Sequence, residues 1–145
     1  MKYIAYGSNM VKEQMARRCP DAKFIGAGYI NGAQLEFYLH ATVEYSRIEG
    51  TRVPVAVWEI SNADEHRLDR YEGYPSFYTK QEVFVRMNDG SKIKGMIYLM
   101  NLIRTAPPTD VYYEGIADAY KALGFNSEIT TVLEPAYQRS LMRSA

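Results

Sequence analysis

Two short stretches carry residue types that can do chemistry. The first is Tyr6-Gly7-Ser8-Asn9-Met10, where an apolar run beginning at Tyr3 stops on small polar residues. Glycine lets a chain turn sharply and lets a ligand come close to the backbone. The N–H groups of such a turn, and of a helix start just after it, point outward and attract an anion. Ser8 or Asn9 could cap the helix that follows. The second is Glu72, in Tyr71-Glu72-Gly73. A helix from about Ser61 to Tyr71 puts this carboxylate against the negative end of the helix dipole, at a cost of about 0.3–1 kcal/mol. A carboxylate partly desolvated there has a raised pKa, which suits general acid–base catalysis near neutral pH. Tyr71, Tyr74 and Phe77 could supply the desolvation. Both stretches also have plain structural readings, as a solvated surface glutamate and an ordinary capped turn.

Other chemistries find little support. The loop lacks the length and lysine of a phosphate-binding P-loop and the GxSxG pattern of a nucleophile elbow, so Ser8 is not read as a nucleophile. There is no CxxC, HExxH or histidine cluster, and His40 and His66 read as structural or surface residues. A metal site is not expected. The single Cys19 excludes an internal disulfide and fits a reducing cytoplasm. Lys plus Arg equals Asp plus Glu at 17 each, which gives no reason to propose nucleic acid or an anionic membrane as partner. Arg17-Arg18 reads as part of a solvated helix face. No apolar run reaches membrane-spanning length. The 13 tyrosines, against 5 phenylalanines, read mostly as sheet packing, with some hydroxyls free to line a polar cavity.

The elements that must position these residues follow from periodicity. The 145 residues suit one domain, 1–145, with a real core. Lys2 to Tyr6 reads as a strand. Met10 to Cys19 has helical spacing, with Met15 and Cys19 four apart and Pro20 as the stop. Residues 23–30 and 34–40 read as strands, the second with Leu35, Phe37 and Leu39 on one face. Residues 41–52 are polar and read as a loop. Residues 53–60 are apolar on both faces and read as a central strand. Ser61 and Asp64 resemble a capping box, and Gly73 is the C-terminal stop. Two strands flank Asn88-Asp89-Gly90, a hairpin signal. A helix runs from Thr109 towards Gly124, with Ile116, Tyr120 and Leu123 on one side. Another starts near Ser127 and is expected to end or kink at Pro135. Strands and helices do not alternate regularly. The expected class is α+β, a small mostly antiparallel β-barrel flanked by helices.

Several stretches, in this order, resemble the γ-glutamylcyclotransferase superfamily, including its avirulence-induced-gene-like members. They are YIAYGSNM at residues 3–10, VAVWEI at 55–60, LDRYEGYPSFY at 68–78, YLMNLIRTAPPTDVYYEGI at 98–116 and LEPAY at 133–137. The resemblance covers residues 2 to about 137. It implies a small β-barrel with helices and an enzyme without metal or cofactor. It implies cyclisation of a γ-glutamyl amino acid or amine to 5-oxoproline, with release of the free amino acid or amine. It also implies roles. Tyr6, Gly7, Ser8, Asn9 and Met10 match the substrate-holding loop, and Glu72 matches the acid–base glutamate. Tyr78, Tyr98 and Tyr112 match pocket tyrosines, with Tyr113 competing with Tyr112 for the last position. The expected partner is a small γ-glutamyl substrate, with no nucleic acid and no membrane, for a cytoplasmic monomer or homodimer. Alternatives are a cyclotransferase acting on γ-glutamyl-lysine or a γ-glutamyl biosynthetic intermediate, and a non-catalytic barrel that binds a small anion.

Overall fold

Alternation and turn chemistry account for the frame. The computed structural model describes residues 1–101 and 103–144. Leu102, inside one of the stretches that carry the resemblance, and Ala145, the last residue of the expected domain, lie outside the described residues. Five strands close into a barrel in the order β1 (Lys2–Ala5), β5 (Arg52–Glu59), β2 (Lys23–Asn31), β6 (Tyr78–Met87) and β7 (Lys92–Met100). Neighbouring strands are antiparallel except at the seam, where β1 meets β7 in parallel with Tyr3 opposite Met96. Gly95 permits that seam, since a Cβ there would sit 2.6 Å from Cδ1 of Ile4. β5 is buried from Val53 to Trp58, as its two apolar faces require of a strand with neighbours on both sides.

The polar segment expected as a loop is in part a strand. β3 (Ala33–Tyr38) turns back on β4 (His40–Tyr45) through Leu39 alone, which is held at φ 66°. This two-stranded sheet lies outside the barrel ladder, with Phe37 opposite Ala41. Few apolar side chains mark β4 because it is short and half-exposed, and its hydrogen bonds rather than its side chains hold it in place. Only residues 46–51 remain irregular.

The helices pack against this frame. After a short 3-10 turn at Ser8–Met10 comes α1 (Lys12–Arg18), whose Met15 is buried. α2 (Asn62–Glu72) opens with the expected reciprocal cap, Ser61 accepting from the Asp64 N–H and Asp64 accepting from the Ser61 N–H. It closes at Gly73, in the left-handed conformation that glycine tolerates. α3 (Asp110–Ala122) is capped by the Thr109 hydroxyl and buries Ile116, Ala119 and Tyr120. The last helical stretch does not end at Pro135. α4 (Asn126–Glu128) passes through a π segment (Ile129–Leu133) into α5 (Glu134–Ser144). Proline lacks an N–H and crowds the carbonyl four residues back, and the wider π turn just before it relieves both problems. Among the described residues no helix is long and apolar enough to cross a membrane.

Candidate active site

The Gly7–Asn9 turn lies beside the end of α2, and together they wall a narrow inner cavity. Its lining includes Tyr3, Tyr6, Gly7, Ser8, Asn9, Ala41, Glu72, Tyr78, Tyr98 and Tyr112. The turn is braced from behind. Asn9 is buried; its side-chain amide donates to the Tyr3 hydroxyl at 2.9 Å, and its carbonyl accepts from the Trp58 indole at 3.1 Å. Arg18 donates to the Ser8 hydroxyl at 3.1 Å and to the Asn9 side-chain oxygen, and its guanidinium stacks 3.4 Å from the Tyr71 ring centroid. Neither Ser8 nor Asn9 caps a helix, because Arg18 engages both side chains. No partner among the described residues accepts from the N–H of Gly7, Ser8 or Asn9. Gly7 has an ordinary negative φ. A Cβ there would come within 3.2 Å of the Tyr112 hydroxyl, a tight contact to which the ring would have to yield.

The tyrosines converge on one residue that periodicity does not mark. The Ala41 carbonyl of β4 accepts from Tyr78 at 2.9 Å, and its N–H donates to the Tyr112 hydroxyl at 3.1 Å. Tyr6 donates to the Tyr98 carbonyl at 2.6 Å, tying β1 to β7. Tyr98 donates to Asp69 of α2 at 2.6 Å. Three of these hydroxyl protons are therefore committed. Tyr112 uses its oxygen as acceptor, and its proton meets no acceptor among the described residues. Burial pushes the pKa values of Tyr6, Tyr78, Tyr98 and Tyr112 upward, so all four stay protonated at neutral pH. Tyr113 packs instead against Phe37 and Tyr137. Met10 leaves the group altogether. Its side chain is buried in the core and its N–H donates to the Gly7 carbonyl at 3.0 Å.

Glu72 is the last residue of α2 and is half-buried. No donor among the described residues reaches its carboxylate. Desolvation pushes its pKa up to about 7, with Arg18 pulling in the opposite direction. α2 is held where it is by Lys80 of β6, which donates to Glu65 at 2.8 Å and to Asp69 at 2.8 Å. Glu72 and Tyr78 also line an outer cavity of about 290 Å³ that includes Tyr38, His40, Arg70, Phe77 and Arg104. Glu72 thus stands between two cavities. Arg18 and Ala41 are the participants that sequence reasoning missed. Arg18 is half-buried rather than solvated, held between the Ser8–Asn9 turn and Tyr71 of α2. The nearest sequence signal was the absence of any cap for the first helix other than Ser8 and Asn9. Among the described residues no group of three His, Cys, Asp or Glu could hold a metal ion.

A family model described as "Gamma-glutamyl cyclotransferase, AIG2-like" matches residues 3–116. The human and mouse proteins named "Gamma-glutamylcyclotransferase" are each 28% identical over 137 residues, spanning 87% of this chain and 73% of theirs. A solved structure titled "Gamma-glutamyl cyclotransferase" superposes with a TM-score of 0.81 at 29% identity, over 92% of this chain and 85% of the other.

Proposed function

The chain belongs to the gamma-glutamyl cyclotransferase, AIG2-like family, and on that premise we propose that it cyclises a γ-glutamyl amino acid or amine to 5-oxoproline with Glu72 as its acid–base group. One observation carries the assignment of Glu72. It is a carboxylate that meets no hydrogen-bond donor among the described residues, raised to a pKa of about 7, at the junction of two cavities.

The chemistry follows from the substrate. Its α-amine is protonated near neutral pH, with an ordinary pKa of about 7.7–8.0, and only the neutral form attacks. Ionised Glu72 takes that proton. The amine nitrogen then bonds to the γ-carbonyl carbon, closing a five-membered ring, and the carbonyl oxygen becomes an oxyanion. The unused N–H groups of Gly7, Ser8 and Asn9 and the Tyr112 hydroxyl are donors on the same wall, suited to that oxyanion and to the substrate's α-carboxylate. The bond from carbon to the leaving nitrogen breaks as Glu72 returns the proton to it, so one group serves both steps, and the ring nitrogen gives up its second proton to water as the lactam forms. Nucleophile and electrophile belong to one molecule, so holding it folded supplies several kcal/mol of the barrier. Tyr6, Tyr78 and Tyr98 act chiefly by fixing the walls, and Met10 acts from the core by holding the turn.

The same reading expects one domain over residues 1–145, working in the cytoplasm as a monomer or homodimer, without metal, cofactor or nucleic acid. The balanced charge supports the last point. The test is 5-oxoproline release, followed by mass spectrometry, from γ-glutamyl-amino acids, glutathione and γ-glutamyl-ε-lysine. Product from at least one is expected. A folded protein that binds these compounds and releases nothing would overturn the proposal.

A further inference from the structure

The outer cavity differs in charge from the inner one. Two guanidinium groups, Arg70 at the end of α2 and Arg104 after β7, stand on its wall, and among the described residues Glu72 is the only carboxylate there. Both arginines are exposed, and neither makes an ion pair or a side-chain hydrogen bond with the described residues. Most other arginines are engaged. Arg52, Arg67, Arg139 and Arg143 pair with carboxylates, and Arg86 donates to the Gly90 carbonyl. The charge of Arg104 is felt at His40 on the same wall, where it adds to burial in pushing the imidazole pKa down. Tyr38, Phe77 and Tyr78 add aromatic surface to the same lining.

The position of Glu72 decides what enters this space, on the reading that the chain is a cyclotransferase. Glu72 has to reach both the attacking amine and the leaving nitrogen, because it carries the proton between them. The amine and the γ-carbonyl belong to the γ-glutamyl arm beside Gly7–Asn9, in the inner cavity. The leaving nitrogen therefore sits at the junction, and whatever it carries extends outward past Glu72. We infer that the outer cavity receives the leaving group, and that Arg70 and Arg104 select leaving groups with a carboxylate close to the released nitrogen. The carboxylate of an α-amino acid lies two bonds from that nitrogen, within reach of long arginine side chains on the cavity lining. An uncharged amine offers them nothing, and a lysine linked through its ε-nitrogen places its carboxylate several carbons further out.

Two substrates that differ only in that carboxylate test the inference: γ-glutamyl-alanine and γ-glutamyl-ethylamide. Wild-type kcat/KM, read as 5-oxoproline release, is expected to favour γ-glutamyl-alanine by roughly tenfold or more, the scale of a charge-assisted hydrogen bond that is partly exposed. The ratio is expected to fall in Arg104→Gln and in Arg70→Gln, and to approach one in the double variant. Equal kcat/KM for the two substrates in the wild type would overturn the inference while leaving the cyclotransferase reading intact. A ratio that keeps its wild-type value in the double variant would also overturn it, because selection would then lie elsewhere. Release from neither substrate, when other γ-glutamyl compounds are also inert, would overturn both readings together.

Discussion

Between about pH 4.5 and 7 the Glu72 carboxyl of the folded chain keeps a proton that the unfolded chain has lost, because burial lifts its pKa from 4.5 to about 7. The folded state therefore binds more protons in that window, and stability falls as pH rises through it. Below the window both states are protonated and nothing is lost. Above it the cost is complete, up to about 3 kcal/mol at 1.36 kcal/mol per unit. Glu72→Gln keeps the shape and removes the titration. Urea unfolding is expected to find this variant more stable than the wild type at about pH 8, with the difference vanishing near pH 4. Equal stability at both pH values would mean that Glu72 is not desolvated. With Glu72 as the proposed base, kcat/KM of the wild type should fall on the acid side with an apparent pKa near 7. Residue type and spacing made Glu72 legible as a candidate base in the chain. They could not make Arg18 legible, because its contacts depend on the turn at Ser8 and Asn9 folding back on α1 and on Tyr71 of α2 meeting it.

At the scale of elements, α2 is a lever whose far end carries Glu72. Its first turn is closed by Ser61 and Asp64, its middle is clamped by Lys80 and Tyr98 through Asp69, and its end is fixed by Gly73. Asp69→Ala removes one of the two acceptors of Lys80 and the acceptor of the wall residue Tyr98, while Asp69 itself lines neither cavity. It is expected to cost about 1–3 kcal/mol in unfolding by urea, the scale for hydrogen bonds to a charged group. It should also lower kcat by roughly tenfold or more, since small misplacements of a catalytic group are felt strongly. Unchanged kcat with lowered stability would separate the clamp from catalysis. The capping box, the glycine stop, the hairpin at Asn88–Gly90 and the central β5 could be read in advance because each has a local signature. β4 could not. It contributes through the backbone of Ala41, which side-chain patterning does not report, and the one-residue turn at Leu39 has no glycine to announce it. Pro135 misled for a related reason, since a π turn absorbs the missing N–H and the helix continues.

The whole molecule divides its tasks between a barrel with its helix α2 and a C-terminal helical layer. The layer is tied down by buried Glu36 of β3, which accepts from Arg139 at 2.7 Å and from Arg143 at 2.8 Å. Arg139 and Arg143 also donate to the Leu35 and Phe37 carbonyls, covering the open edge of β3, which would otherwise invite pairing with another chain. Since β3 carries β4, this anchorage reaches Ala41 and the tyrosines around it. The barrel class was legible because its strands alternate and its central strand does not. Its closure was harder to foresee, because the β1–β7 seam is parallel and rests on the space left by Gly95. The role proposed for Glu72 can be measured directly. Single-turnover release of 5-oxoproline from the best γ-glutamyl substrate should be compared between wild type and Glu72→Gln, with substrate binding measured separately by calorimetry. The structure predicts retained binding and a rate lower by at least ~10², the usual scale for a general acid–base group. A rate within a fewfold of wild type would contradict the central claim and move the proton transfer to another residue.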